Sequence, residues 1–260
     1  MSAAAGPELD AALIELGWPE LLAEVPDVAV PLVFRLLGET GSHAAVLVDV
    51  VGSDAQPGPV PDDVRRSVHH SQPGPVPLPF AGGAWVVWDR EGGSGAAVDE
   101  ELPLRTVASG TELPDAALAA GRRALGWWLL GTGHAMLALA RRHALERKQF
   151  GRALASFQAV RHRLAETLVA LEGAEAALRT ADGELGALLA KAAAGHGALT
   201  AARHCQQVLG GIGFTAEHDL HRHVRRTLVL DGLLGSTREL TREAGAYIRT
   251  NRTAPRLAQL

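Results

Sequence analysis

The stretch that begins at Asp115 is the feature that most constrains the fold. Residues 115–148 contain no proline and carry apolar side chains at helical spacing, and Pro114 directly before them is typical of a helix start. Further helices are predicted over the segment after Gly151, 184–209, 236–250 and, as a shorter one, 217–231. Long helices joined by short turns are typical of an antiparallel bundle. The sequence therefore predicts a four-helix bundle domain over 114–260.

The helix predicted after Gly151 has apolar residues that step by three or four positions. The stripe consists of Phe157, Val160, Leu164, Leu168 and Leu171. Such spacing turns one apolar face toward a core and leaves the other face in solvent. The composition agrees with a helical protein, because aromatic residues make up only 4% of the chain while Ala and Leu are abundant. A large sheet would need more β-branched and aromatic residues.

The first part of the chain is predicted to be a short N-terminal helical segment over 1–52. Its helices are expected at 8–24 and 27–52. Gly38 and Gly41 interrupt the apolar pattern of the second helix, so a break is predicted there.

A Pro/Gly-rich connector with a reduced β region is predicted over 53–113. The hexapeptide QPGPVP occurs twice in it, at 56–61 and 72–77. Proline fixes φ and lacks an N–H donor, so this stretch is expected to be neither helix nor central strand. The strand candidates are AWVVWD at 84–89 and LRTVAS at 104–109. The predicted fold class is thus mainly α with a small β part.

Net charge and cysteine content narrow the functional classes. The net charge of −4 implies no general attraction to nucleic acid or to anionic membranes. The longest apolar runs are interrupted by Gly and His and are too short to span a bilayer. Cys205 is the single cysteine, which excludes an internal disulfide, and the first residues show no basic segment followed by an apolar one. We therefore expect a cytoplasmic protein.

Two motifs carry groups suited to a nucleotide. In RKQFG (147–151), Arg147 can donate two parallel hydrogen bonds to a phosphate and Phe150 can cover a ring or a sugar. In QVLGGIGF (207–214), Gln207 offers an amide, and Gly210 and Gly211 allow backbone N–H groups to approach an anion. The residues alone also fit a purely structural role, since a glycine after a helix is commonly a C-terminal cap.

The order and spacing of these motifs resemble the acyl-CoA dehydrogenase family. The similarity covers roughly 115–250, the C-terminal helical domain of that family, and is carried by RKQFGxxLASFQAV, QVLGGIGFTxEH and the later RRT; ELGW at 15–18 adds a looser similarity. In that family FAD lies at a subunit interface. The resemblance implies that five residues contact the ADP half of a neighbouring subunit's FAD. These are Arg147, Phe150, Gln207, Gly210 and Gly211.

Other positions follow from the same resemblance. Ser236 and Thr237 match residues that can hydrogen-bond a flavin, and they equally suit the N-cap of the last helix. Arg122 lies near the place of an active-site arginine of the family, although one arginine in an arginine-rich helix is weak evidence.

The positions of the catalytic base depart from the family pattern. Family members remove the α-proton of an acyl-CoA with a Glu, placed either in the loop before the last helix or on the first bundle helix. The matching residues here are Leu234 and Gly121, and neither can accept a proton. Asp231 and Glu239 are nearby acids, but a shift of several residues would misplace them for catalysis.

The resemblance and its departures together imply a role for the chain. The region that matches the family's middle β domain is about half the size expected of a domain (~100 residues). We therefore expect a non-catalytic or half-site subunit that pairs with a full-length paralogue in a heterotetramer. The resemblance implies an acyl-CoA substrate with a bulky acyl group such as a steroid side chain, and an electron-transfer flavoprotein or similar acceptor. A self-sufficient flavoenzyme with a displaced base and a flavin-free structural bundle stay open as alternatives.

The remaining conspicuous residues suggest no further chemistry. The histidines His204, His218, His221 and His223 lack the spacing of a metal site, so no metal is expected. The arginines Arg222, Arg225 and Arg226 fit a solvated basic face better than a contact with the nucleotide of CoA. Trp127 and Trp128 are expected to pack inside the bundle.

Overall fold

The computed structural model describes residues 5–54, 76–89, 97–98 and 101–252. The first copy of the QPGPVP repeat and most of the second therefore lie outside the described residues, as does the extended connector predicted around them. Helices make up most of what is described, which confirms the mainly α prediction. They are α1 (Pro7–Glu15), α2 (Trp18–Glu24), α3 (Pro26–Thr40), α4 (Val46–Asp54), α5 (Asp115–Glu146), α6 (Gln158–Thr180), α7 (Gly183–Leu209), α8 (Leu220–Gly232) and α9 (Thr237–Asn251).

The three long helices α5, α6 and α7 form the bundle, and glycines at their contacts show how they run. A Cβ atom placed on Gly126 of α5 would lie 2.5 Å from Leu178 of α6, and one on Gly133 would lie 2.5 Å from Leu171. Residue numbers thus rise along α5 as they fall along α6, so these two helices are antiparallel. Gly133 also lies against Ala198 of α7.

A cluster of buried residues, separate from the main core, closes one end of the bundle. It joins the C-terminal half of α5 with that of α7 through the buried residues Met136, Ala140, Ala144, Ala201, Ala202, Cys205, Val208 and Leu209. Helices α5 and α7 therefore run in the same direction, and their C-terminal ends lie side by side. This places the segments that follow the two helices, 147–153 and 210–214, at one end of the molecule.

The buried face of α6 corrects one residue of the predicted stripe. Leu171 is buried, but Leu168 is 43% exposed, and Thr167 is the fully buried residue at that level. The helical period of 3.6 residues puts positions 164, 167 and 171 on one face and turns 168 away from it. The Thr167 hydroxyl is satisfied there, because it donates to the carbonyl of Arg163 at 2.8 Å and lies 2.9 Å from Nδ1 of His204.

The N-terminal helices pack directly on the bundle. A Cβ on Gly38 of α3 would lie 2.4 Å from the carbonyl oxygen of Trp128, and one on Gly131 of α5 would lie 2.1 Å from the carbonyl oxygen of Arg35. Backbone therefore meets backbone at this crossing. The break predicted at Gly38 is wrong, since α3 continues to Thr40, whereas Gly41 ends the helix in the left-handed region with φ 70°. The first predicted helix also divides, at Gly17 with φ 82°.

The small β part is a three-stranded antiparallel sheet with β1 (Pro77–Phe80), β2 (Ala84–Trp88) and β3 (Leu104–Val107) in that order. Both predicted strands are confirmed, and β2 is the central one. Strand β1 tolerates its two prolines because an edge strand can leave one side without donors. Trp88 of β2 joins the main core, where its ring centroid lies 6.3 Å from that of Trp128. Residues of all three predicted segments thus share one hydrophobic core.

Candidate functional site

The RKQFG motif forms a two-residue hairpin directly after α5. Strands β4 (Lys148–Gln149) and β5 (Arg152–Ala153) pair in antiparallel register and leave Phe150 and Gly151 at the turn. Both turn residues have positive φ, 52° and 77°, as in the type I′ turns that favour Asn-Gly. A phenylalanine in the left-handed region costs about 1–2 kcal/mol. Its side chain is nevertheless 90% exposed, so the turn holds an aromatic ring out into solvent.

Arg147 lies at the base of this hairpin, with extended backbone that ends α5. Its carbonyl accepts a hydrogen bond from the N–H of Leu154 at 2.9 Å, which fixes the backbone. Its side chain is exposed, and it makes no side-chain hydrogen bond or ion pair within the described part of the chain. A neighbouring arginine behaves differently, since Arg152 stacks over the ring of Phe157 at 4.2 Å. Arg147 and Lys148 are thus both exposed cations of the hairpin, and of the two only Arg147 can donate two parallel hydrogen bonds to a phosphate.

The glycine motif caps α7 and then opens into solvent. Gly210 has φ 67°, and its N–H donates to the carbonyl of Gln206, so it serves as the C-terminal cap that the residues alone also allowed. A Cβ placed on Gly210 or Gly211 would meet nothing within 4 Å, whereas one on Gly213 would lie 2.8 Å from the carbonyl of Gln206. Gln207 is exposed on the last turn of α7. The two leading glycines therefore leave backbone accessible, while the third is a packing residue.

The hairpin and the glycine motif lie at the same end of the bundle. Their helices end side by side, and Leu154 after the hairpin packs on the cluster that contains Val208 and Leu209. His143 near the end of α5 lies close to Arg147 of the hairpin and to His218, which follows the glycine motif: its pKa is lowered mainly by burial, and further by the positive charges of His218 and Arg147. The structure thus brings together the two motifs that the sequence singled out.

The two positions that match the family's catalytic base lie against each other. A Cβ placed on Gly121 would be 2.6 Å from Cδ1 of Leu234 and 2.9 Å from Cγ2 of Val51. Leu234 has φ 55° and is 1% exposed, and its N–H donates to the carbonyl of Pro79 at 2.8 Å. This region is therefore filled by apolar side chains from α4 and from the loop between α8 and α9, with strand β1 bonded to that loop.

Two buried cations bind backbone carbonyls in or next to the loop between α8 and α9. Arg122 donates from Nε to the carbonyl of Leu234 at 3.1 Å and pairs with Glu243 of α9 at 3.2 Å. Lys191 of α7 donates to the carbonyls of Asp231 at 3.0 Å and Gly235 at 2.5 Å. Burial lowers the pKa of Lys191 to about 7. Arg122, matched only weakly to an active-site arginine, and Lys191, which sequence reasoning missed, both bind the protein's own backbone.

The two acids considered as substitute bases are also engaged within the protein. Asp231 accepts hydrogen bonds from the N–H of Thr237 at 3.1 Å and from its hydroxyl at 2.5 Å. Glu239 accepts from the N–H groups of Gly82 and Ser236, both at 2.9 Å. Hydrogen bonds from these backbone groups lower the pKa of Glu239 to about 2, which makes it a weak proton acceptor.

Ser236 is the N-cap of α9. It forms a capping box with Glu239, in which each side chain bonds the other residue's backbone N–H. Of the two roles that its sequence position allowed, the capping role is the one seen in the structure. Thr237, by contrast, is tied to Asp231.

The arginines and tryptophans near the site also have structural roles. Arg226 corrects the prediction of a solvated basic face, because it is only 4% exposed and donates to the carbonyl of Ser42 at 3.0 Å. Arg222 is exposed and pairs with Glu101 at 3.1 Å. Trp127 and Trp128 are buried, which confirms their predicted packing role.

One group of potential metal ligands includes none of the four histidines that were considered in the sequence analysis. Oxygen or nitrogen atoms of His134, Glu172 and Glu175 lie within 4.8 Å of one another. Sequence reasoning missed this group, because it depends on how α5 meets α6. Glu175 already pairs with Arg35 at 3.3 Å and with Arg179 at 2.6 Å, so the carboxylate is neutralised by guanidinium groups.

Comparison with known proteins decides the family. The model of the acyl-CoA dehydrogenase C-terminal domain matches residues 108–248, more than half of the chain. The chain belongs to the acyl-CoA dehydrogenase family. This match includes α5 to α8, most of α9 and both outward-facing motifs, and it confirms the resemblance and the bundle fold.

Relatives and solved structures within the family agree. The acyl-CoA dehydrogenase FadE34 of Mycobacterium tuberculosis is 34% identical over 194 residues, which cover 64% of this chain and 26% of the relative. The acyl-CoA dehydrogenase IpdE2 of the same organism is 37% identical over 116 residues, covering 44% and 36%. A structure of the steroid ACAD Tcur3481-Tcur3483 superimposes with a TM-score of 0.51 at 28% identity, covering 60% of this chain and 45% of that one.

The butyryl-CoA dehydrogenase of Megasphaera elsdenii shares the fold, with a TM-score of 0.53 at 22% identity over 65% of this chain and 53% of that one. The chain spans less than half the length of the curated acyl-CoA dehydrogenases it matches. Among the described residues, no helix has both the length and the apolar character needed to cross a membrane.

The donors at the bundle end fit the phosphate-bearing half of FAD, the cofactor that the family implies. An unpaired guanidinium, an exposed ring and two glycines with open space above them are accessible from outside the chain. Among the described residues, the region around Gly121 and Leu234 offers no space, since buried apolar atoms fill it. The residues present thus fit a cofactor contact on the outside of this chain.

Proposed function

We propose that this chain is the non-catalytic subunit of an FAD-dependent acyl-CoA dehydrogenase. It completes the FAD site of a full-length family member, with which it forms a heterotetramer. The assembly carries out α,β-desaturation of an acyl-CoA. The full-length chain supplies the base that removes the α-proton, and this chain supplies contacts to the cofactor.

The contact between Gly121 and Leu234 carries this proposal. Either position would have to hold a carboxylate for the family's proton abstraction, and both are apolar and packed together at 2.6 Å. The nearby acids do not substitute for it, because Asp231 is bonded to Thr237 and Glu239 has a pKa of about 2. A carboxylate with so low a pKa is largely unable to accept a proton from carbon at neutral pH.

The outward-facing residues support the contribution to a neighbour's cofactor. Arg147 and Gln207 would hold the pyrophosphate, the backbone at Gly210 and Gly211 would approach it closely, and Phe150 would cover the adenosine part. When bound, FAD supplies the acceptor for the substrate's hydride, and the electrons then leave to an electron-transfer flavoprotein or a similar acceptor. Such an arrangement explains why a strained turn presents a phenylalanine to solvent.

We further propose a bulky acyl substrate such as a steroid side chain. The support is the likeness to Tcur3481-Tcur3483, which is described as a steroid ACAD and whose name joins two chains. The cleft lined by Arg122, Glu243 and Tyr247 has a volume of about 120 Å³, which is too small for a steroid. The substrate would therefore lie mainly on the partner chain.

The stoichiometry of FAD tests the proposal. The chain would be purified alone and after co-expression with a full-length acyl-CoA dehydrogenase of the same organism, and FAD per chain would be measured by absorbance. We expect no flavin on the lone chain and about one FAD per pair of chains, from the sharing of one cofactor across one interface. One FAD per chain in the lone protein would overturn the non-catalytic assignment.

A variant pair tests the contact itself. Arg147→Ala should lower the FAD content of the mixed assembly, because a phosphate contact is lost. Arg142→Ala is the matched control, since Arg142 is exposed near the end of the same helix and should leave the FAD content unchanged. Equal FAD content in both variants would argue against the assignment of Arg147.

A further inference from the structure

Helix α3 is apolar on two opposite faces. Its inner face is buried on α5 through Ala29, Phe34, Leu37 and Gly38. Its outer face, with the residue just before it and one from α2, forms a line of exposed apolar side chains that we name the outer stripe. The outer stripe consists of Leu21 (43% exposed), Val25 (44%), Val28 (65%), Leu32 (58%) and Leu36 (47%).

The spacing within α3 puts the main part of the outer stripe on one side of that helix. Val28, Leu32 and Leu36 follow one another at intervals of four positions, so at about 100° per residue they lie along one side, while Val25 directly precedes the helix and Leu21 belongs to α2. The buried residues Phe34 and Leu37 and the partly buried Val30 lie on the opposite side. Contiguous exposed apolar patches mark sites of protein contact.

Charge indicates what kind of surface covers the outer stripe. Residues 5–54 carry nine acidic side chains and one arginine, while the whole chain has a net charge of only −4. Glu20, Glu24 and Asp27 are exposed beside the start of the outer stripe. Two copies of this region would repel each other if they met face to face. A partner with Lys or Arg side chains around an apolar groove would be attracted instead.

We propose that the outer stripe docks into an apolar groove, bordered by basic side chains, on the full-length chain of the mixed assembly. This rests on the proposed function, and it adds a second contact between the two chains, separate from the hairpin and the glycine motif. The recognition is of the helix-in-groove kind, in which residues three and four positions apart are the anchors. Val28 and Leu32, the most exposed of the five, are the central anchors.

The affinity of the two separately purified chains tests this contact. The probe is the full-length acyl-CoA dehydrogenase used in the co-expression test, and its Kd for the wild-type chain is compared with its Kd for Val28→Glu and Leu32→Glu. Both side chains are exposed, so the variants should fold, which circular dichroism checks. Leu228→Glu is the matched control, because Leu228 is 59% exposed on α8, close to the 58% of Leu32. Expected is a Kd at least about tenfold weaker for each stripe variant and an unchanged one for the control, since a carboxylate would enter an apolar groove.

Salt and self-association complete the test. The Kd of the wild-type pair should weaken as NaCl rises, because the acidic rim would be screened. An unchanged Kd for both stripe variants would overturn the proposal. So would a lone chain that self-associates through the outer stripe, which would identify a second copy as the occupant.

The outcome is separable from that of the proposed function. A pair that forms through the outer stripe but shows the same FAD content with Arg147→Ala would refute the cofactor contact and leave the docking contact standing. If the FAD content of the pair depends on Arg147 but its Kd is unchanged by the stripe variants, the docking contact is refuted and the cofactor contact stands. Absence of any complex between the wild-type chains would refute both.

Discussion

Gly121 of α5 and Leu234 of the loop before α9 are in such close contact that a Cβ on the glycine would lie 2.6 Å from Cδ1 of the leucine. The sequence resemblance predicts the family's base at one of these two positions. Apolar side chains fill this place, and the contact can be tested by stability measurements without any cofactor.

Substitutions at these two positions should be strongly coupled. Gly121→Ala should lower the free energy of unfolding by about 1–3 kcal/mol through overpacking, and Leu234→Ala by about 2–5 kcal/mol through the cavity it leaves. In the double variant the new methyl group occupies part of that cavity, so the loss should be smaller than the sum by at least about 0.5 kcal/mol. Urea denaturation of all four proteins measures this, and simple additivity would contradict the contact.

A single added methyl group at the crossing of α3 and α5 should also lower the free energy of unfolding. Gly131→Ala places a Cβ 2.1 Å from the carbonyl oxygen of Arg35, and backbone cannot move as a side-chain tip can. We expect a loss of about 2 kcal/mol or more in the free energy of unfolding. Gly173→Ala is the control, because a Cβ there meets nothing within 4 Å and should add up to about 1 kcal/mol from helix propensity. Equal effects at both glycines would contradict the close approach.

Lys191 should give the protein a pH-dependent stability above neutral pH. Its pKa is about 7 in the folded protein and 10.5 when unperturbed, so between these values the unfolded chain binds more protons and folding becomes more favourable as pH rises. Compared with Lys191→Met, the wild type should therefore gain stability from pH 7 to pH 10, with a slope of at most about 1.4 kcal/mol per pH unit. Urea denaturation across this range checks the difference, and parallel pH profiles for the two proteins would contradict the shift.

Glu239 should make the stability of the protein depend on pH in the acid range. Its pKa is lowered to about 2 from 4.5, so its contribution is present above pH 4.5 and is lost as pH falls toward 2. Glu239→Gln should remove that part of the acid dependence of the melting temperature. Glu217→Gln, at an exposed position in the segment before α8, should leave the acid profile unchanged. An identical acid profile for Glu239→Gln and wild type would show that the capping box does not hold the carboxylate.

Phe150 should increase the FAD content of the mixed assembly while it lowers the stability of the folded chain. Because Phe150 has φ 52°, Phe150→Asn should raise the free energy of unfolding by about 0.5–1 kcal/mol, as asparagine tolerates the left-handed region. The same change should lower the FAD content of the mixed assembly. Phe214→Asn, at an exposed residue without positive φ, should give no gain in stability. A fall in stability for Phe150→Asn would contradict the strained turn.

The sequence predicted those parts of the fold that depend on local pattern. Helix α5 begins at the residue after Pro114, α7 begins one residue before the predicted position, and β2 lies in AWVVWD, because prolines, glycines and apolar periodicity mark these limits. The error at Leu168 has the same origin. Positions 167 and 168 both fit steps of three or four, and only the packing of α6 decides that a threonine is buried there.

Contacts between distant segments could not be predicted from pattern. Gly38 reads as a helix breaker in isolation, and its role becomes visible only where it meets the backbone at Trp128. In the same way Arg226 reads as part of a basic face, but the carbonyl of Ser42, 184 positions away, makes it a buried residue. The two motifs around Arg147 and Gly210 were found from sequence because each is short and contiguous. Their shared location follows from the parallel run of α5 and α7.

The filled contact at Leu234 would also make the proposed loss of the catalytic base hard to reverse. A glutamate restored at 234 would have its carboxylate among Val51 and the α5 backbone, and one restored at 121 would collide with Leu234. Either single change would bury a carboxylate among apolar atoms, which costs free energy of folding. In the proposed assembly, a return to catalysis would need the loop, α4 and strand β1 to change together, so this contact would keep the chain dependent on its full-length partner.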